Sequence, residues 1–248
     1  MFQTDQAIIL RRIPYGEADQ IVTFFSRDAG RLSGIARSSK RSLLRFGAAL
    51  EPGSVLNLHY RKRPNASLVN LESADILIST LSITKSLPRI CALSEALELS
   101  LAFLQEHQPE AQKFDVLQEF IESLIASEPT EDRSLLFLYQ WLSLSGYSPM
   151  IDRCFTCHRS LDHELTWHFT TETAGLLCLP CSSMSQEKIP LSAEGQQVLR
   201  ELVKGSGEVT KGAKEVHLYF TRYVEHLLGK RLKTYAFLES SERTVSSR

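Results

Sequence analysis

Little in this 248-residue sequence declares an enzyme. It has no Gly-x-Ser-x-Gly elbow, no His-Glu-x2-His pair and no Gly-x4-Gly-Lys-Ser/Thr loop, the spacings that a serine hydrolase, a zinc protease and a phosphate cradle each require. The nearest approach is Gly205-Ser206-Gly207 with Lys211 beyond it. It follows a helical pattern instead of a strand and reads as an inter-helix loop. No apolar run approaches the ~18 residues of a membrane helix. The opening, Met1 to Leu10, contains Asp5 and no basic segment followed by a long apolar one, so it reads as folded chain and not as an export signal. With 43% hydrophobic and 23% charged residues, the composition is that of a globular protein and excludes general disorder.

Cysteine is scarce, five in all, yet four of them fall as Cys154, Cys157, Cys178 and Cys181: Cys-x2-Cys, twenty residues, Cys-x2-Cys. Each Cys-x2-Cys lets two thiolates from one turn face a single point, and two turns complete the tetrahedron that zinc prefers. The expectation is one structural zinc ion. Four thiolates leave no position for a reactive water, so a catalytic metal, as in a zinc-dependent nuclease, is the weaker alternative. His158, His163 and His168 lie between the pairs and read as packing or surface residues, because four thiolates suffice. Cys91 reads as a small core residue.

The net charge of −1 hides an asymmetry. Residues 1–80 carry eleven Lys/Arg against seven Asp/Glu (+4), residues 81–150 four against ten (−6), and residues 151–248 thirteen against twelve (+1). Between positions 31 and 63, Arg31, Arg37, Lys40, Arg41, Arg45, Arg61, Lys62 and Arg63 face a single acid, Glu51. Tyr15, Phe24, Phe25, Phe46 and Tyr60 are interleaved with the basic front. Cations that neutralise phosphates beside rings that stack bases point to nucleic acid; a protein adaptor whose basic front takes acidic proteins is the alternative.

The fold class expected is α+β: an N-terminal OB-fold β-barrel, then an α-helical domain with an inserted four-cysteine zinc finger. Short apolar runs at 7–10, 21–25 and 32–36, the alternation of Leu56, Leu58 and Tyr60, and a run over 67–76 give five strands, which suits a small closed barrel. Ile90, Leu93, Leu97, Leu101 and Leu104, and then Phe114, Leu117, Phe120, Ile121 and Leu124, recur at helical steps. Residues 135–144 are apolar on nearly every side, and helical pattern resumes over 192–203 and 211–228. The boundaries are an OB domain at 1–80, helical parts at 81–149 and 188–240 around a zinc finger at 150–187, and a frayed tail at 241–248.

Ala7-Ile8-Ile9-Leu10-Arg11-Arg12, Pro14-Tyr15-Gly16-Glu17-Ala18-Asp19, Ile21 to Ser26, Gly30-Arg31 and then Phe46-Gly47-Ala48-Ala49-Leu50-Glu51-Pro52 resemble the bacterial RecO family of DNA repair proteins. The resemblance runs in order along the whole chain. It implies a non-enzymatic recombination mediator that binds single- and double-stranded DNA and anneals complementary strands. It also implies work with RecR and with the acidic C-terminal tail of single-stranded DNA-binding protein, helping to load the RecA recombinase, in a cytoplasmic, nucleoid-associated setting. The family's DNA contacts are attributed to basic residues of the OB domain, which fits Arg37, Lys40, Arg41 and Arg45. A tail pocket would belong to the helical domain, with Arg133, Lys204, Lys211 and Lys214 as candidate rim cations. Many members read Ala-Lys/Arg-Gly-Ala where this chain has Ala36-Arg37-Ser38-Ser39, a change that bears on the loop's backbone and not on its charge.

Overall fold

A computed structural model describes residues 2–40, 45–63, 66–161, 166–172, 175–185, 187–205 and 211–237. They fall into two compact units that divide between Glu128 and Pro129. The segment 81–149, read as the first part of one helical domain, is therefore shared between the two.

The first unit begins with strands β1 (Phe2–Tyr15), β2 (Asp19–Ser26), β3 (Gly30–Ala36), β4 (Val55–Arg61) and β5 (Val69–Ile78). They close into a barrel in the order β1-β2-β3-β5-β4, antiparallel except for the β3–β5 pair. That order is the Greek-key closure of an OB-fold. Alternation sorts the side chains: Leu32, Gly34 and Ala36 of β3 are buried while Arg31, Ser33 and Ile35 between them are not, as a period of two requires. Ile9, Val22, Phe24, Leu32, Leu58 and Leu71 fill the interior, joined by Phe46 and Leu50 from the β3–β4 connection. Tyr60 reaches the same core with its hydroxyl donating to Asp5 at 2.7 Å; burial and that carboxylate push its phenol well above the usual tyrosine range.

Strand β1 is far longer than its apolar centre. Its first half pairs with β4 (Phe2↔Arg61 to Ile8↔Val55) and its second half with β2, past an irregularity between Ile9 and Arg11. Residues 11–15 thus run on with β2 as the β1–β2 ribbon, their side chains exposed, and β3 pairs with β2 along most of it.

Helices α1 (Leu87–Phe103) and α2 (Ala111–Ala126) complete this unit. The five apolar residues picked out of α2 are all buried. For α1 the expected stripe needs correction: Ile90 is 38% exposed, while Cys91, Ala92, Ala96 and Leu99 are buried. Because α1 packs on β1 and also on α2, it must bury more than one face.

Gly30, the first residue of β3, has φ +76, and a Cβ there would lie 2.2 Å from the Gln108 carbonyl oxygen. The strand approaches that backbone closely, and His107 N–H donates to Arg31 O at 3.1 Å. Gly30→Ala is expected to lower stability by about 2–4 kcal/mol, from left-handed strain plus a backbone overlap that cannot relax cheaply. Urea unfolding measures it.

The second unit holds α3 (Glu131–Leu144), a four-stranded sheet, and helices α4 (Leu179–Ser182), α5 (Ala193–Lys204) and α6 (Ala213–Leu228). Its strands are β6 (Met150–Cys154), β7 (Trp167–Thr170), β8 (Gly175–Cys178) and β9 (Ile189–Leu191), in the order β6-β8-β7-β9. Helix α3 packs along α6, with Trp141 fully buried. Phe169 of β7 joins the sheet to α6, its ring centroid 5.7 Å from Tyr219 and 5.9 Å from Phe220. Gly205 closes α5 in the left-handed conformation, the usual glycine stop. The rest of the Gly-Ser-Gly loop and the tail from 241 lie outside the described residues.

Candidate nucleic-acid interface and metal centre

The β1–β2 ribbon turns through Gly16-Glu17-Ala18, and the chain leaving β3 returns to that turn. Lys40 N–H donates to Ala18 O at 3.1 Å, and Lys40 Nζ lies 3.4 and 3.2 Å from the carbonyl oxygens of Gly16 and Glu17. Arg45 donates from Nη2 to Arg37 O at 2.6 Å, and its guanidinium carbon sits 5.3 Å from the centre of the Phe46 ring. Arg37, Lys40 and Arg45 are thereby gathered beside the ribbon, with Arg37 and Lys40 exposed. Arg41 lies outside the described residues.

The remaining cations do other things. Arg61, Lys62 and Arg63 are exposed where β4 enters the β4–β5 connection, with Arg61 Nε 3.5 Å from Glu72. Arg31 is held inward, donating to Leu101 O at 3.0 Å and pairing with Glu106 at 3.6 Å, and so ties the barrel to the end of α1 and the segment after it. In OB-folds the β1–β2 loop, the β4–β5 loop and the face of strands 2 and 3 take oligonucleotides. Two of the three groups of cations lie at those loops.

The aromatic half of the expectation is corrected. Phe24, Phe25, Phe46 and Tyr60 are buried, Phe25 against Phe114 of α2 at 5.5 Å between ring centres. A ring that seals a barrel core or a helix interface cannot also stack a base. Tyr15 alone of the five is exposed, at 54%. Sequence reasoning missed exposed Phe2, which stacks on His59 at 6.0 Å. It also left Arg11 and Arg12 out of the candidate site, although the alternation of Arg11, Ile13 and Tyr15 past the apolar centre of β1 was there to be read. Arg12 pairs with Glu51 at 2.6 Å; Arg11 is exposed.

Ser38, in the loop after β3, keeps a positive φ of 54°. Its N–H donates to Asp19 Oδ1 at 2.7 Å, which helps to hold the strained residue. Ser38→Gly is expected to raise stability by about 0.5 kcal/mol, the relief of left-handed strain exceeding the added freedom of the unfolded chain; thermal unfolding checks it.

In the second unit Cys154 ends β6, Cys157 follows in a tight turn, Cys178 ends β8 and Cys181 lies in the short α4. The first turn is held by His158 N–H donating to Cys154 O at 2.9 Å, with His158 at φ 58°. The four sulfurs lie within 4.8 Å of one another, with Cys157 Sγ and Cys178 Sγ 3.6 Å apart. A tetrahedron with Zn–S bonds of ~2.3 Å has edges of about 3.8 Å. Burial disfavours the Cys154 thiolate, yet backbone N–H groups of Cys157, Cys178 and Thr156 hold that thiol down at about 6. Cys181, hydrogen-bonded to Cys178 and crowded by the other sulfurs, is pushed up to about 12. Thiols this close cannot all ionise without a cation among them, so the donor set fits one metal ion. His158 is exposed at its turn, His168 is on β7 outside the sulfur cluster, and His163 lies outside the described residues. Among the rim cations considered for a tail pocket, Lys204 pairs with Glu201 at 3.3 Å, while Lys211 and Lys214 are exposed at the start of α6.

A closed OB-type barrel with basic loops, followed by helices and a four-cysteine cluster, is an architecture that nucleic-acid-handling proteins use. Residues 1–80 match the family described as "Recombination protein O N terminal" and residues 85–236 "Recombination protein O C terminal". The chain belongs to the recombination protein O family. It is 31% identical over 239 residues to the "DNA repair protein RecO" of Anaeromyxobacter sp. (strain Fw109-5), covering 94% of this chain and 93% of that protein. The protein of the same name from Syntrophotalea carbinolica is 33% identical over 178 residues, 72% of this chain and 69% of that one. That from Myxococcus xanthus is 28% identical over 239 residues, 94% and 96%. Membership supports a role in DNA repair. Among the described residues no helix is long and apolar enough to cross a membrane.

Proposed function

We propose that this chain is a non-catalytic recombination mediator. It binds single- and double-stranded DNA through the cationic loops of its barrel, anneals complementary strands, and with RecR helps to load RecA on DNA coated by single-stranded DNA-binding protein, whose acidic tail it engages. Its place is then the nucleoid in the cytoplasm, and its metal is one structural zinc. The observation that carries this reading is the gathering of Arg37, Lys40 and Arg45 at the turn of the β1–β2 ribbon, at a loop where OB-folds meet oligonucleotides. Cations there displace counterions from phosphates, giving binding that ignores sequence and weakens with salt. Two strands with partly neutralised charge can then approach and pair. The reading is tested by fluorescence anisotropy of labelled single- and double-stranded oligonucleotides across a salt series, with and without a peptide of the acidic tail. Affinity for both DNA forms that falls linearly in log–log with salt supports it; no binding at low salt refutes it. A nuclease is disfavoured because four thiolates saturate the metal, and DNA cleavage dependent on added metal would reverse that.

A further inference from the structure

The four sulfurs of the second unit are not equally sheltered. Cys154 is fully buried, Cys178 is 2% exposed, Cys181 is half-buried and Cys157 is exposed. The cause is local. Residues 154–159 form a tight hairpin, closed by Cys154 N–H donating to Arg159 O at 2.7 Å and by a bridge between Arg153 and Ser160. Every residue from Phe155 to Ser160 is exposed, so Cys157 stands on the open side of the metal site. Cys178 instead ends β8, paired in register with the fully buried Trp167 of β7. These two sulfurs, one open to water and one sealed behind it, are 3.6 Å apart. Closing that gap to the ~2.05 Å of a disulfide takes a movement of about 1.5 Å.

A metal-ligating cysteine is a thiolate, and thiolate character combined with exposure is what selects a cysteine for oxidation. We propose, on the reading of the quartet as a metal site, that Cys157 is oxidised by hydroperoxides and resolved by Cys178, which makes the centre a reversible redox switch. First the Cys157 thiolate attacks one oxygen of hydrogen peroxide. An S–O bond forms, the O–O bond breaks, and hydroxide leaves a sulfenic acid behind. The Cys178 thiolate then attacks the Cys157 sulfur: the S–S bond forms, the S–O bond breaks, and a second hydroxide departs. Two thiolates have lost two electrons, the peroxide has gained them, and two protons from solvent complete two waters. Cys154 and Cys181 are then the only thiolates left, half of the tetrahedron that holds the ion. A dithiol reductant returns the disulfide to two thiols by exchange and is itself oxidised. The cations read as DNA contacts belong to the first unit, so oxidation removes the brace of the second unit's sheet and leaves DNA binding in place. Cys91 lies outside the quartet, and burial, then Glu95, push its thiol up; it stays reduced.

The test treats the full zinc-loaded chain with hydrogen peroxide. Metal release is followed with a chromogenic chelator, the sulfenic acid with a dimedone trap, and disulfides by peptide mass mapping. One metal ion should be released per disulfide, with the trap on Cys157, the bridge between Cys157 and Cys178, and Cys91 unmodified. Tryptophan emission should shift as Trp167 loses its setting beside Cys178, and dithiothreitol with added zinc should restore it. Affinity for a labelled oligonucleotide should not change. Cys157→His keeps four ligands that zinc accepts and removes the exposed thiolate, so release should slow on the order of tenfold; Cys181→His should release at the wild-type rate. If Cys157→His does not hold zinc, the trap and the mapping on the wild type decide alone. A trap on another cysteine, a bridge between Cys154 and Cys157, or undiminished release from zinc-loaded Cys157→His overturns the assignment of the pair. Metal retained with every thiol intact overturns the switch alone. Elemental analysis that finds no metal in the untreated chain instead sinks the metal reading, and the switch with it.

Discussion

Replacing Cys154 and Cys178 together with serine is expected to strip the metal and unfold the sheet of the second unit. One sulfur is lost from each turn, so neither Cys-x2-Cys pair can hold the ion alone. The sheet around the site is small: β7 and β8 are four residues each and β9 is three. Strands this short do not hold by their own ladder. Structural zinc contributes on the order of 10 kcal/mol towards folding of such segments, comparable with the ~5–15 kcal/mol total stability of a typical domain. The readout is built in, because both tryptophans, Trp141 and Trp167, are fully buried in this unit. The variant should show red-shifted tryptophan emission and a lower melting temperature. Elemental analysis should find one zinc per wild-type chain and none in the variant, and a chelator should reproduce the variant's spectrum. A metal-free wild type with full stability would refute the assignment. The cations assigned to DNA belong to the other unit, so weak binding of DNA below the melting temperature should persist in the variant.

What the sequence disclosed depended on how local the determinant was. The cysteine quartet was legible because two-residue spacing fixes each turn by itself, and the four sulfurs do converge. Strand β4 (Val55–Arg61) was legible because Leu56, Leu58 and Tyr60 alternate cleanly. The full reach of β1 was not, since its ends hold Gln3, Asp5, Arg11 and Arg12, which are strand only through pairing with β4 and β2. Likewise Ile13, Ile21 and Ile35 are eight and fourteen residues apart along the chain and become neighbours only through register. The basic cluster was visible as composition, but composition could not separate Arg31, spent on Leu101 O and Glu106, from Arg37 and Lys40 at the ribbon. The aromatics failed for a related reason. A ring in a strand looks the same in sequence whether it seals a core, as Phe24 and Tyr60 do, or stands in water, as Tyr15 does.

Reversing Arg37 and Lys40 to glutamate is expected to weaken single-stranded DNA binding on the order of 100-fold at 0.1 M salt. Each phosphate neutralised contributes about 0.7 to the log–log salt slope for a single strand, so losing two contacts should flatten the slope by about 1.4. Extrapolated from 1 M to 0.1 M salt, that change alone corresponds to about 25-fold, and the repulsion of two introduced carboxylates supplies the remainder. Fold is not the confounder. Arg37 and Lys40 are exposed, and the loop is also held by backbone contacts that survive the change: Lys40 N–H to Ala18 O and Ser38 N–H to the Asp19 carboxylate. Thermal unfolding should therefore move little. Annealing of complementary strands should fall with binding, since charge neutralisation is what lets two strands approach. Charge reversal at Arg31 should behave differently, costing stability before affinity, because that guanidinium holds the barrel against the end of α1 and the segment after it. An Arg37→Glu/Lys40→Glu variant with wild-type affinity and slope would move the DNA site away from the ribbon turn, and the exposed Arg61, Lys62 and Arg63 beside the β4–β5 connection would be the next cations to reverse.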